Sequence, residues 1–233
     1  MYKSLLLKFP WLYELVQSVR DVISHRSCLK NGSFAQHGED VEIMRLLNES
    51  NAKGCYVDIG CNHPFKINNT YLLYLNGWRG LCVDPLPRFT DLYEKWRPED
   101  LFECVGIGEQ SGEMTLFEFE SDVLSTLDKD LSDQYQRSGY KFRRKVQTKI
   151  KTIDSILEAK GLAAPISLLS VDIEGHELSA LKSINLEKWK PVYICLEALT
   201  ADGKRNEESI IYLCNNGYRI ASDLGLNLLF CRV

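Results

Sequence analysis

At 233 residues, 45% hydrophobic and 26% charged, the chain has the length and composition of one folded domain with a sizeable core. A net charge of −4 without a long basic tract excludes the electrostatic footprint of a nucleic-acid binder. The cysteines, at 28, 55, 61, 82, 104, 195, 214 and 231, show no C-x-x-C or C-x-C spacing, and Cys55, Cys82, Cys104, Cys195 and Cys231 fall in expected strands; reduced core thiols in a cytoplasmic protein are expected rather than a disulfide framework.

Residues 1–32 are expected to form a helical extension to a domain over 33–233. After Pro10, the apolar residues Trp11, Leu12, Leu15, Val16, Val19, Val22 and Ile23 recur at i, i+3, i+4 spacing and predict an amphipathic helix. An uninterrupted apolar span of about 20 residues and a small-residue cleavage site are both missing there, so neither a membrane span nor a secretion signal is expected. The apolar face is expected to pack on the domain or on a second copy in a homodimer, and its aromatic edge leaves peripheral membrane contact open. Residues 33–40, SFAQHGED, then form a polar turn leading into a helix with Val41, Ile43, Met44, Leu46 and Leu47 on its apolar face. Gln36, His37, Glu39 and Asp40 either face a ligand or serve as caps and surface residues.

The stretch 55–62, CYVDIGCN, reads as a short buried strand ending in Asp58-Ile59-Gly60. A helix over 67–76 follows, with Leu72, Leu73 and Leu75 turned inward, and a second strand over 80–83 ends in Asp84 and is broken by Pro85. Together these make a nucleotide-binding βαβ unit whose strand ends deliver Asp58, Gly60 and Asp84 to the edge where open α/β sheets bind ligands. Gly60 lets the backbone turn tightly, and Asp84 can take both hydroxyls of a ribose. One glycine stands where G-x-G-x-x-G has three, so no pyrophosphate cradle is preformed. That favours S-adenosylmethionine over NAD and makes an NAD-dependent oxidoreductase of Rossmann type the weaker alternative.

A helix over 86–96 precedes a third strand over 101–107, after which Gly108, Glu109 and Gln110 are expected beside an adenine. EMTLFEFE at 113–120 alternates at period two and predicts another strand. Residues 121–145 show no clear periodicity and are expected to be a substrate-side lid or loop containing Ser125 and Thr126, with KFRRK at 141–145 as a solvated loop rather than a phosphate-binding patch. A strand over 146–151 and a helix over 152–159 follow.

The second chemical landmark is 166–177, ISLLSVDIEGHE. A buried strand delivers Asp172, and Glu174, His176 and Glu177 follow before a helix over 178–184, a density of ionisable groups that points to a functional site. The strand over 191–197, PVYICLE, brings Glu197 to the same edge. If the two strands are neighbours, Asp172 and Glu197 lie side by side and could hold sugar hydroxyls, orient a nucleophile or, with Glu174, bind a divalent metal. A helix over 207–215 and strands over 218–221 and 226–231 close the chain, the last two as an antiparallel hairpin. The fold expected is α/β: a Rossmann-like class I methyltransferase fold, with a seven-stranded, mostly parallel sheet, a C-terminal antiparallel hairpin and helices on both faces.

Taken together, QHGED, YVDIGCNHPFKINNTYLLYLNGWRGLCVDP, LLSVDIEGHELSALKSIN and the strand ending in Glu197 resemble the FkbM-type S-adenosylmethionine-dependent methyltransferases from about Phe34 onward. The resemblance implies O-methylation of a hydroxyl on a sugar, glycan or secondary metabolite. Carried onto this chain, it puts Asp58, Gly60, Cys61 and Asn62 at the methionine end of the cofactor and Asp84, with Pro85, at the ribose. Cys61 stands where many members carry Ala, and both are small. Gln36, Gly38 and Glu39 would close over the ligand, and Asp172, Glu174 and His176 would face the transferred methyl. His176 is the first choice of base because an imidazole titrates near neutrality. Asp172 or Glu197 is the alternative, suited to a site where a divalent metal lowers the pKa of the hydroxyl. A non-catalytic S-adenosylmethionine-binding module is the remaining alternative.

Overall fold

A computed structural model of the chain describes His25, Leu29 and residues 32–199 and 203–233. The amphipathic helix expected near the N-terminus lies outside the described residues apart from His25. In chain order the elements are α1 (Glu39–Glu49), β1 (Tyr56–Ile59), α2 (Tyr71–Leu75), β2 (Gly80–Val83), α3 (Thr90–Trp96), β3 (Leu101–Glu103), β4 (Gly106–Ile107), β5 (Gly112–Phe119), α4 (Lys129–Arg137), β6 (Phe142–Lys151), α5 (Ile153–Ala159), β7 (Leu168–Val171), α6 (Glu177–Lys182), α7 (Leu186–Trp189), β8 (Tyr193–Glu197), α8 (Glu207–Asn215), β9 (Tyr218–Asp223) and β10 (Asn227–Arg232).

Seven strands form one sheet in the order β3-β2-β1-β7-β8-β10-β9. In this sheet β3, β2, β1, β7 and β8 pair in parallel, and β10 runs against both of its neighbours. This is the Rossmann-like methyltransferase fold, closing hairpin included. The central strands YVDI, GLCV and LLSV are buried along their whole length, as parallel strands covered on both faces must be. Alternate residues feed two cores: Val57, Ile59, Leu81 and Val83 pack with residues of α5 and α6, while Tyr56, Cys82 and Cys195 pack with residues of α1 and α3. The thiols of Cys82 and Cys195 are thus core groups, whereas Cys55, Cys104 and Cys231 are only half-buried. Between β1 and β7 the winding of the sheet reverses, which opens a crevice at the carboxyl ends of those two strands.

Four local expectations are corrected. The strand expected over 101–107 is two strands: a tight turn, in which Val105 N–H donates to Glu103 O, takes the chain off the main sheet, and β4 joins a separate sheet of order β4-β6-β5. The helix expected over 67–76 starts only at Tyr71, because the Asn68 amide oxygen accepts the Thr70 and Tyr71 N–H groups and Ile67 sits at φ 48°. Of its three leucines Leu73 is fully buried and Leu75 is 51% exposed. The segment 121–145 carries α4, capped by Asp128, which accepts the Asp130 and Leu131 N–H groups. Only Leu131 and Ser132 of α4 are buried, too few to leave a periodic pattern. KFRRK is mostly strand, and Arg143 and Arg144 bond the buried Glu118 carboxylate at 2.9 and 2.7 Å, joined there by Arg88. Among the described residues no helix is long and apolar enough to cross a membrane.

Candidate active site

The site begins where β1 ends. Gly60 turns at φ 78°, and a Cβ there would lie 1.8 Å from the Asp172 carbonyl oxygen, so no other residue fits this backbone crossing. The crossing is pinned on both sides: Asp172 N–H donates to Ile59 O at 3.0 Å, and Gly60 N–H to Val83 O at 2.9 Å. Beyond it, Asn62 (φ 49°) turns its N–H to Asp84 Oδ2 at 3.0 Å, while Leu86 N–H donates to Asp84 Oδ1 at 2.9 Å. Both oxygens of Asp84 are therefore oriented, each with a lone pair to spare. Burial pushes the Asp84 carboxyl up to about 7 against the pull of those two N–H groups and Arg88.

A scaffold of buried polar groups lies behind this wall. Thr70 Oγ1 donates to Asp58 Oδ2 at 2.6 Å and accepts from Arg97 Nη2 at 3.0 Å. Arg97 also bonds Tyr56 Oη and the Asp100 carboxylate, at 2.9 and 2.7 Å. Asn68 Nδ2 donates to Cys61 O at 2.9 Å, which ties the loop after β1 to the start of α2. Asp58 and Cys61 are buried within this layer and do not reach the crevice. Burial raises the Asp58 carboxyl, and Thr70 and Arg97 draw it back.

The opposite wall comes from β7 and β8. Their register pairs Val171 with Leu196, so Asp172 and Glu197 follow side by side. One oxygen each of Asp172, Glu174 and Glu197 lies within 4.8 Å of the others. Burial, then repulsion from neighbouring carboxylates, pushes Asp172 up to about 8 and Glu197 up to about 11. Glu177 braces the turn from behind: its Oε1 accepts Gly175 N–H at 3.0 Å and its Oε2 accepts Asn206 Nδ2 at 3.3 Å. Three carboxylates this close are a donor set suited to a hard divalent cation.

The two walls bound a cavity of about 380 Å³, within the range of small-molecule sites. Of the residues expected from sequence, Gln36, Gly60, Asn62, Asp84, Pro85, Asp172, Glu174 and Glu197 line it. Gly38 and Glu39 lie behind it: Gly38 starts α1 at φ 87°, and Glu39 is buried between His37 N–H and the Asn227 amide. Glu109 points away, with Lys182 at 3.7 Å and its N–H on Ser179 Oγ; Gly106 and Ile107 take the cavity wall where it was expected. His176 does not face the cavity either. It precedes α6 without making a capping hydrogen bond, and its Nδ1 is buried and unpartnered. Tyr135, from α4, lines the cavity with its hydroxyl 2.6 Å from Glu174 Oε2, and no sequence pattern marks it.

The model of the methyltransferase FkbM domain matches residues 58–220, which span both walls. The chain belongs to the FkbM methyltransferase family. FkbM methyltransferases are thereby the family in which the β1 turn, Asp84 and the carboxylate wall of this chain are to be understood. No curated protein sequence matches the chain. Among solved structures, the chain is similar to the Burkholderia thailandensis 1,6-didemethyltoxoflavin-N1-methyltransferase with bound 1,6-didemethyltoxoflavin and S-adenosylhomocysteine, at 11% identity over 95% of this chain and 88% of that one, with a TM-score of 0.43.

Proposed function

We propose that this FkbM methyltransferase uses S-adenosylmethionine to methylate a hydroxyl of a small-molecule acceptor such as a sugar, glycan or secondary metabolite. The observation that carries this reading is one cavity with a glycine turn and an oriented Asp84 on one wall and three carboxyl groups on the other. A two-point acceptor such as Asp84 suits the paired hydroxyls of a ribose. The single close approach at Gly60 gives no cradle for a dinucleotide's pyrophosphate, which disfavours NAD. S-adenosylmethionine supplies, when bound, a methyl group already activated by its sulfonium.

The residues of the chain then have two tasks, alignment and proton removal. Asp84 holds the ribose, and the turn at Gly60 and Asn62 holds the methionine end. On the acceptor side Glu197 keeps its proton near neutrality and can donate a hydrogen bond, while Asp172, pushed up to about 8, is a base matched to a hydroxyl proton. Calorimetry with S-adenosylhomocysteine and with NAD tests the cofactor: binding of the first and not the second is expected, and failure to bind S-adenosylhomocysteine rejects the reading. A screen with labelled methyl donor then identifies the acceptor.

A divalent cation is a second reading, favoured by the spacing of the three carboxyl oxygens. Held by Asp172, Glu174 and Glu197, it would lower the pKa of an acceptor hydroxyl. Turnover that survives exhaustive chelation rejects it.

Asp172 replaces His176 as the proposed base because the imidazole does not line the cavity. His176→Ala is expected to keep turnover within about threefold of the parent, against losses of about a hundredfold or more for a true general base. A loss of that larger size in steady-state assays would restore His176 to the role.

A further inference from the structure

We propose that Tyr135 is a positioning residue that holds the Glu174 carboxylate beside the transferred methyl by donating a hydrogen bond to it from the segment that clamps its turn. The proposal deepens the methyltransferase reading and rests on it.

Glu174 lies at φ 50° and Gly175 at φ 95°, so two successive residues adopt left-handed backbone, which is uncommon for a long side chain such as glutamate. Besides Glu177, which accepts the Gly175 N–H, three contacts from the segment 126–135 hold this turn. Thr126 Oγ1 donates to the Glu174 carbonyl at 2.8 Å. Tyr135 Oη donates to Glu174 Oε2 at 2.6 Å. Leu131 packs so close to Gly175 that a Cβ there would lie 3.3 Å from its Cδ2. The clamp is itself rigid: Thr126 exchanges backbone hydrogen bonds with Phe117 and accepts Asp128 N–H at 2.9 Å. The Tyr135 ring stands edge-on to Phe119 and Tyr140, at 5.7 and 5.6 Å.

Burial and the Glu177 carboxylate both push the Glu174 carboxyl up, and the Tyr135 hydrogen bond draws it back. The phenol therefore supplies the attraction that opposes burial and this repulsion at a carboxylate lining the cavity. Tyr135 thus acts through Glu174 and touches the acceptor's reacting atoms only indirectly.

The test needs no acceptor. Sinefungin carries an ammonium where the methyl sulfonium stands, whereas S-adenosylhomocysteine is uncharged there, so the ratio of their affinities measures the negative charge held at the methyl position. With the full chain in chelated buffer, the parent is expected to prefer sinefungin. Tyr135→Phe, which keeps the ring packing, is expected to cut that preference by about fivefold or more, the scale of a hydrogen bond to a charged group, while leaving S-adenosylhomocysteine affinity unchanged. Glu174→Gln is expected to cut it similarly, and the double variant to add nothing further.

A parent without the preference, a preference unchanged in Tyr135→Phe, or additive losses in the double variant would each overturn the proposal. Equal loss of both ligands in Tyr135→Phe would overturn it too, since it would mark a packing role. Absence of S-adenosylhomocysteine binding in the parent would instead defeat the methyltransferase reading.

Discussion

Asp84→Ala is expected to weaken S-adenosylhomocysteine binding by more than about tenfold, since two hydrogen bonds from a ribose to a charged group are lost. The carboxylate is a prepared acceptor: Asn62 N–H and Leu86 N–H fix its plane, so little ordering remains to be done when the ligand arrives. The alanine variant also leaves the buried Leu86 N–H unpaired, at a cost on the order of 1–3 kcal/mol, so it is expected to melt lower as well. Asp84→Asn separates the two effects, because its amide oxygen still accepts one backbone N–H while its NH₂ cannot accept from a ribose hydroxyl. Calorimetry beside thermal melts makes the comparison, and unchanged affinity in both variants would reject the ribose assignment. The parent adds a pH signature. With the carboxyl pushed up to about 7, its ionised fraction grows as pH rises through that value, so binding is expected to tighten between about pH 6 and pH 8.

Asp172→Asn combined with Glu197→Gln is expected to abolish most turnover and yet stabilise the ligand-free protein. The loss of activity should reach about a hundredfold to ten-thousandfold, the usual worth of a positioned base. The gain in stability follows from the burial of both carboxyls against like neighbours. Their folded values, about 8 and about 11, lie above the ordinary carboxylate range. The folded chain therefore binds more protons than the unfolded chain from the ordinary range up to those values, and stability falls as pH rises through that window. In chelated buffer the melting temperature of the parent is expected to drop between about pH 5 and pH 8, and the double variant is expected to flatten that slope. Near neutrality the variant should gain on the order of 1–3 kcal/mol, the penalty of a buried group with imperfect partners. A variant that melts below the parent at pH 8 would show that the cluster contributes to stability rather than opposing it.

Much of the fold was legible in the chain because its central strands are buried on both faces. Such strands must be near-continuous apolar runs, so YVDI, GLCV and LLSV announce themselves, and their ends mark where Gly60, Asp84 and Asp172 emerge. The helix over 207–215 and the closing hairpin were legible for a similar reason, each bounded by turn residues at the expected places. The segment 121–145 was not, since α4 buries only two of its residues and leaves no period to read.

Sequence alone determined the central buried strands, the closing hairpin and the chemical types gathered at one sheet edge, because burial and glycine geometry act locally along the chain. Which of those side chains share a cavity was decided only by the tertiary structure. Two successive left-handed residues, Glu174 and Gly175, keep Glu174 on the cavity wall, and His176, next in the chain, falls outside it. The break after β3 turns Glu109 toward Lys182, while α4 brings Tyr135 across almost forty residues to Glu174. Side-chain direction depends on dihedral angles and on partners distant in sequence, and neither is written in spacing or composition.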